Sequence, residues 1–445
     1  MSTPKLSGTA PSGHRSAEHA RSVSPARVAV AGLIGTTIEW FDFLIYGTAA
    51  ALVFGPQFFP NTSQVAGTLA AFSTFAVGFL ARPVGAALMG HLGDRIGRKR
   101  MLITSLLLMG GGTAAIGLLP TYEVIGVAAP ALLVALRLLQ GVGVGGEWGG
   151  AVLMALEHAP PNRRTLYASF PQMGLPLGVI LASLSFLPLR LSLDPDSFAS
   201  WGWRIPFLVS ALLVIFGLVL RTRLDESPEF VKAREARELA RAPLGAVVRR
   251  MPGTLGLAAG VSIAGSAFGN IFLVFSLSYA TSRGFASPSA MLAYTIVAAT
   301  VWVLLVPAGA ALANRIGRRK AMLVGQCLAG LWAFPFFWML ETGAPTLILL
   351  GAIGWGVGQG IAGGPQAAII ADAFPAPLRY TGAGIAYATS GILGGGLAPL
   401  VATSLTVGQD SAVLVAAYVV ALYALSFLCV ALLRGPDYRI APHRR

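Results

Sequence analysis

Two carboxylates stand where a charge is costly. Glu39 and Asp42 interrupt an otherwise apolar run, 27–54, which also carries Phe43 and Tyr46. Spaced at i, i+3, i+4 and i+7, the four side chains are expected on one face of a helix. A second run, 124–157, holds Arg137 and Glu147, and a third, 64–89, holds Arg82 directly before Pro83. A charged group at mid-bilayer costs ~2.5–3.5 kcal/mol on insertion scales and persists where it faces a partner or a water-filled crevice. The chemistry within reach of such a set is proton exchange. A carboxylate and an anionic solute competing for one guanidinium would couple protonation to binding.

Depth decides which of these groups can meet. A rise of ~1.5 Å per residue from Arg27 puts Glu39 about 18 Å and Asp42 about 22 Å into the run. Arg137, roughly nine to thirteen residues from the far end of its own run, comes to a comparable depth. An ion pair with Glu39 or Asp42 is therefore expected, either as a proton-coupling site or as a static clip that fixes helix packing. Arg82 and Glu147 also match in depth and form a second candidate pair, an inner gate or again a clip. In 165–189 the segment Pro171-Gln172-Met173-Gly174-Leu175-Pro176 loses a backbone hydrogen bond at each proline. Irregular backbone at depth is tolerated where it lines a cavity. Gln172 is thus a candidate substrate contact, with Asn270 in 253–282 and with Tyr46, Arg82 and Glu147. Tyr279, Trp302, Trp355, Gln359 and Tyr387 are weaker candidates, since helix packing accounts for the rings as well.

The elements that must hold these residues are apolar helices. Of 445 residues, 55% are hydrophobic and only 11% charged, against about 25% charged in a soluble domain. Twelve runs are each long enough for the ~20 residues a span needs: 27–54, 64–89, 101–119, 124–157, 165–189 and 203–221, then 253–282, 289–313, 320–340, 345–372, 380–406 and 411–433. The net charge of +14 is topological rather than a nucleic-acid footprint. Counted from a cytoplasmic N-terminus, 27 of the 32 lysines and arginines fall on one side, Arg190, Arg204 and Arg283 on the other, and Arg82 and Arg137 inside spans. That is the positive-inside pattern of an even number of helices with both ends in the cytoplasm. Residues 1–26 are expected to be a disordered tail rather than a cleaved leader. The connection 222–252 is hydrophilic, with Glu235, Glu238, Arg234, Arg237 and Arg241 spaced for a surface helix. Residues 434–445 are expected to form a second tail. Five scattered histidines and two cysteines, Cys327 and Cys429, suggest neither a metal site nor a disulfide framework, and no cofactor is expected. Gly141-Val142-Gly143-Val144-Gly145-Gly146 matches the dinucleotide fingerprint only formally, since it lies within an apolar helix. It reads as close helix packing, as do Gly356 and Gly360.

The run has internal symmetry. Gly90-His91-Leu92-Gly93-Asp94-Arg95-Ile96-Gly97-Arg98-Lys99-Arg100 returns 220 positions later as Ala310-Ala311-Leu312-Ala313-Asn314-Arg315-Ile316-Gly317-Arg318-Arg319-Lys320. Each copy is a basic turn after the second span of its half, which suggests a transporter of two repeated bundles, 27–221 and 253–433. This turn resembles the loop motif between helices two and three of the major facilitator superfamily. Within it, Ile38-Glu39-Trp40-Phe41-Asp42-Phe43, Ala81-Arg82-Pro83-Val84-Gly85, Arg137-Leu138-Leu139-Gln140-Gly141 and Pro161-Asn162-Arg163-Arg164 resemble the metabolite:proton symporter family, whose members carry α-ketoglutarate, citrate, shikimate, proline or betaine.

The resemblance implies an all-α membrane protein of about twelve helices in two pseudo-symmetric six-helix bundles, with the site between them at mid-membrane. Function would be proton-coupled uptake of a small organic acid or zwitterion by alternating access, as a monomer in a bacterial inner membrane. An efflux antiporter is the alternative, although Gly174-Leu175-Pro176-Leu177-Gly178 matches an antiporter motif poorly. An enzyme is not expected. The resemblance also implies a cytoplasmic latch in which Asp94 meets the start of helix eleven and Arg98 pairs with Glu157. In the second half Asn314 replaces the acid, while Asp372 could still receive Arg318. The first half is therefore expected to latch more strongly.

Overall fold

The computed structural model describes residues 25–96, 98–145, 147–222, 243–375 and 378–433, and among them all regular structure is helical. Six helices form each half. In the first they are α1 (Pro25–Phe58), α2 (Gln64–Ile96), α3 (Arg98–Leu118), α4 (Ala128–Glu157), α5 (Arg164–Ser192) and α6 (Ile205–Thr222). In the second they are α7 (Pro252–Ser282), α8 (Pro288–Ile316), α9 (Arg318–Glu341), α10 (Pro345–Asp372), α11 (Arg379–Thr406) and α12 (Val413–Leu432). Eleven are long and apolar enough to cross a membrane; α3 carries the shorter apolar stretch Ile103–Leu118 beyond its basic start. The expected spans fall within a few residues of these helices. A short helix, Pro243–Arg250, precedes α7 and buries Val247 in a cluster with residues of both halves, among them Trp148, Ala258 and Phe374. The side chains of Asp94 and Arg98, and the surface helix expected around 234–241, lie outside the described residues.

Two inserted turns mark the repeat. α1 widens to a π-helical turn at Ala50–Phe54, and α7 does so at Ile271–Phe275. That is close to the 220-residue offset of the two basic loops. A third π-turn, Gly391–Gly396, interrupts α11. Such turns leave backbone groups imperfectly paired and recur at functional sites.

Glycine sets how closely the helices approach. A Cβ on Gly145 would stand 2.1 Å from the Arg82 carbonyl, and one on Gly141 2.2 Å from the Gly78 carbonyl, so α2 and α4 touch backbone to backbone. In the second half Gly356, Gly360 and Gly364 do the same between α10 and α8. The small-residue reading of Gly141, Gly145, Gly356 and Gly360 therefore holds. Gly174 and Gly178 admit Thr36 and Trp40 in the same way, seating α5 on α1. The two halves meet where α5 packs on α8 and α10, and where α2 packs on α11. Leucines and valines such as Leu80, Val84 and Leu88 on α2 and Leu425, Leu428 and Leu432 on α12 are left outward, a surface suited to acyl chains rather than water.

Replacing Gly145 with Leu should lower stability by about 1–3 kcal/mol through overpacking, read as a lower melting temperature in detergent. Gly111 on α3 has nothing within 4 Å of an added Cβ, so Gly111→Ala should leave that temperature unchanged or slightly raised.

Candidate functional site

The interior of the first half is built around two buried arginines that share one phenyl ring. Arg82 on α2 and Arg137 on α4 are 3% and 0% exposed. The Arg82 Cζ lies 4.3 Å and the Arg137 Cζ 4.2 Å from the centroid of Phe43. Trp40 and Phe79 complete the sleeve around Arg82, at 4.9 and 4.6 Å. Tyr46 and Phe75 complete that around Arg137, at 3.8 and 5.4 Å. Gly78 is what lets Arg137 lie flat, because a Cβ there would meet the guanidinium at 3.0 Å. Stacking on ring faces is a form of burial the weakly hydrated guanidinium tolerates.

The expected ion pairs are rearranged. Arg137 has no carboxylate within ion-pair distance among the described residues; its Nη1 donates to Gln140 Oε1 at 2.8 Å. Gln140 Nε2 donates to Thr113 Oγ1 at 2.7 Å, and Thr113 Oγ1 lies 3.1 Å from Asp42 Oδ2. Ser210 on α6 donates to the other oxygen, Oδ1. Arg137 therefore reaches Asp42 through two intervening side chains. The reason is position: Arg137 sits about one turn further along α1 than Asp42, over Tyr46. Arg82 likewise pairs with Glu39, Nη2 to Oε1 at 4.0 Å, and not with Glu147. Residues three apart differ by about 60° around a helix. Glu39 thus turns toward α2 while Asp42 turns toward α3 and α6, so the two acids do not share one neighbour. Glu147, 1% exposed, lies near enough to Asp42 to act on it electrostatically.

Tyr46 departs from its expected role. Its hydroxyl donates to Thr74 Oγ1 at 2.6 Å and its ring carries Arg137, within the core of the first half. Trp355 is likewise core, stacked on Phe272 at 4.0 Å with 8° between the planes, and Tyr279 donates to Glu341 near the C-terminal ends of α7 and α9.

A small cavity of about 40 Å³ lies between the halves at mid-depth. Its walls include Trp40 and Gln172 from the first half, and Asn270, Trp302, Gln359 and Tyr387 from the second. Gln172 and Asn270 both line this cavity. Below it, Trp148 on α4 stacks on Tyr387 on α11, 3.9 Å apart at 6°, and donates its indole N–H to Gln172 Oε1 at 2.8 Å. On the other side, two cavities of about 550 and 340 Å³ share Gln64, Thr68, Ser278 and Ser282, at the start of α2 and the end of α7. Sequence reasoning missed Gln140, Thr113, Ser210, Phe79 and Trp148. Gln140, one turn after Arg137, carried a usable signal; hydroxyls in apolar spans are too common to single out.

The sequence model of the family described as Major Facilitator Superfamily matches residues 32–399 and again 257–443. The chain belongs to the major facilitator superfamily. It is 43% identical over 381 residues to the inner membrane metabolite transport protein YhjE of Escherichia coli, spanning 84% of this chain and 87% of that one. It is 32% identical to the citrate-proton symporter of Klebsiella pneumoniae, spanning 83% of each. The fold also matches a partially occluded, inward-open structure of the xylose transporter XylE from Escherichia coli, with a TM-score of 0.71, 17% identity, and coverage of 92% and 96%. The protein is therefore a multi-pass membrane transporter and not an enzyme.

As in the superfamily's two-lobed design, the lobes are fastened at one end. Arg318, at the start of α9, pairs with Asp372 at the end of α10 and also donates Nε to Thr165 Oγ1 of the first lobe at 2.8 Å. Arg318 so bridges the lobes directly, a contact the sequence did not suggest. Glu157 stands at the end of α4, and the side chain of its expected partner Arg98 is outside the described residues.

Replacing Gln140 with Leu cuts the chain between Arg137 and Thr113 and should cost about 1–3 kcal/mol, measured as a lower melting temperature. Arg318→Gln should slow turnover with little change in the half-saturating substrate concentration, measured by initial uptake rates.

Proposed function

We propose that this transporter takes up a small organic acid together with a proton, and that Asp42 carries the proton. The observation that carries this reading is the hydrogen-bonding around Asp42. Thr113 has one hydroxyl hydrogen and two acceptors in range, Asp42 Oδ2 at 3.1 Å and the Met109 carbonyl at 3.0 Å. With Asp42 ionised, Thr113 gives its hydrogen to the carboxylate. With Asp42 protonated, the acid can donate to Thr113, which turns its hydrogen to Met109. Both protonation states are satisfied without moving a helix.

The surroundings of Asp42 support the same reading. Glu39, Asp42 and Glu147 are buried in the lobe that also buries Arg82 and Arg137, and Arg82 pairs with Glu39. Asp42 is linked to Arg137 by the Gln140–Thr113 relay, and Arg82 stands behind Trp40 in the cavity wall. Proton and substrate would thus act on one set of buried charges from two sides. The name of the relative that carries citrate with a proton fits this direction of coupling. A monoanion carried with one proton is electroneutral and is driven by the pH gradient alone; a membrane potential of ~150 mV adds ~3.5 kcal/mol only for each net positive charge that crosses with the substrate. In this reading the Arg318 latch closes the cytoplasmic end, the wider cavities open outward, and both termini face the cytoplasm of a bacterial inner membrane. The transporter is taken to work as a monomer.

Asp42→Asn should abolish uphill uptake driven by a pH gradient in proteoliposomes while leaving substrate counterflow within about two- to threefold of the parent, since one buried hydrogen bond changes by only ~1 kcal/mol. Gradient-driven accumulation that survives in this variant would contradict the assignment.

A further inference from the structure

The amides that line the central cavity have their orientation fixed by their partners. Gln172 accepts from the indole N–H of Trp148 at 2.8 Å. An indole nitrogen only donates, so the oxygen of Gln172 must face Trp148 and its NH2 group is left for the cavity. The opposite wall is the reverse. Asn270 Nδ2 donates to the Ser266 carbonyl at 2.9 Å, and Gln359 Nε2 donates to the Gly265 carbonyl at 3.0 Å. A backbone carbonyl only accepts, so both amide nitrogens are committed to α7 and both oxygens are presented elsewhere. Asn270 is 4% exposed, and its Oδ1 has no hydrogen-bond partner among the described residues. The Gln359 oxygen has only a long contact, 3.4 Å from the Tyr423 hydroxyl. One wall of the cavity therefore offers a donor, with the Arg82 guanidinium 4.9 Å beyond the Trp40 ring. The other offers one unpaired acceptor, Asn270 Oδ1, beside the hydroxyls of Ser262, Ser266 and Tyr387, since the Gln359 oxygen turns to Tyr423 outside the lining. No charged side chain lines the cavity itself among the described residues.

From this polarity we infer that the substrate is a small hydroxycarboxylate, bound with its carboxylate toward Gln172 and Trp40 and a hydroxyl donating to Asn270 Oδ1. The inference rests on the reading of the protein as an organic-acid transporter and narrows its substrate class. A buried acceptor left unpaired is a penalty for every ligand that cannot donate to it. Dicarboxylates without a hydroxyl and fully methylated betaines have no such donor. An amino acid would bring an ammonium, which needs a facing carboxylate that the cavity wall lacks.

The test is competition and binding with the full-length protein, using pairs that differ only by a hydroxyl: malate against succinate, lactate against propionate, and hydroxylated against plain cyclohexanecarboxylate, with glycine betaine and proline alongside. Binding is read by the thermal shift of the purified transporter and transport by uptake into proteoliposomes. In at least one pair the hydroxylated member should bind tenfold or more tightly than its partner, and Asn270→Leu should remove that difference while leaving the weaker partner's binding within about threefold. The melting temperature of the variant shows whether it is folded, and Asn270→Ser, which keeps a polar acceptor, should retain part of the preference. Equal binding within every pair, or preference for betaine or proline, would overturn the hydroxyl assignment while leaving a transporter. Failure of all carboxylates to bind would instead overturn the organic-acid reading and this inference with it.

Discussion

Everything in the first lobe is arranged around keeping two guanidiniums out of water. Arg82 and Arg137 are held on the faces of five rings, with Phe43 common to both. A buried cation without compensation is among the most expensive groups a fold can contain. Rings and carboxylates together make it tenable here. Each arginine also has an acid connected to it. Glu39 lies against Arg82, and Asp42 connects to Arg137 through Gln140 and Thr113.

The same constraint explains why glycine is so frequent where α2 and α4 cross. The arginines fit only if the two backbones nearly touch, which Gly78, Gly141 and Gly145 permit. Close packing also makes the lobe a rigid unit, whereas the contacts between lobes are of another kind. Phe79 of α2 rests on the glycines of the π-turn in α11, Trp148 stacks on Tyr387, and Arg318 reaches Thr165. They add to the packing of α5 on α8 and α10 and of α2 on α11. Rigid halves joined by separable contacts are what a rocking, alternating-access motion needs.

Much of the fold was legible in the sequence because a membrane imposes a single rule: apolar runs of about twenty residues with basic residues on one side. The repeat of the basic turn 94–100 at 314–320 gave the two-lobed plan. The identities of the buried charged residues were legible too, since each is an anomaly in an apolar run. Their pairing was not. Depth along an axis can be counted from sequence, but direction around a helix depends on how neighbours are rotated. Glu39 and Asp42 diverge by about 60°, enough to send them to different helices. Thr113, Ser210 and Gln140 were invisible for a different reason, because uncharged polar residues in a span have many roles. The orientation of Gln172 and Asn270 depends on Trp148 and on backbone carbonyls, which no pattern in the chain displays.

The central claim is that one buried acid, Asp42, gains and loses the transported proton. Infrared difference spectroscopy on the purified transporter across a pH step reports it most directly, through the carbonyl stretch of protonated carboxyl groups. The account predicts a protonated-carboxyl band that changes with pH, is lost in Asp42→Asn, and persists in Glu39→Gln. A band that survives in Asp42→Asn and disappears in Glu39→Gln would move the proton to the Arg82 pair and contradict the account.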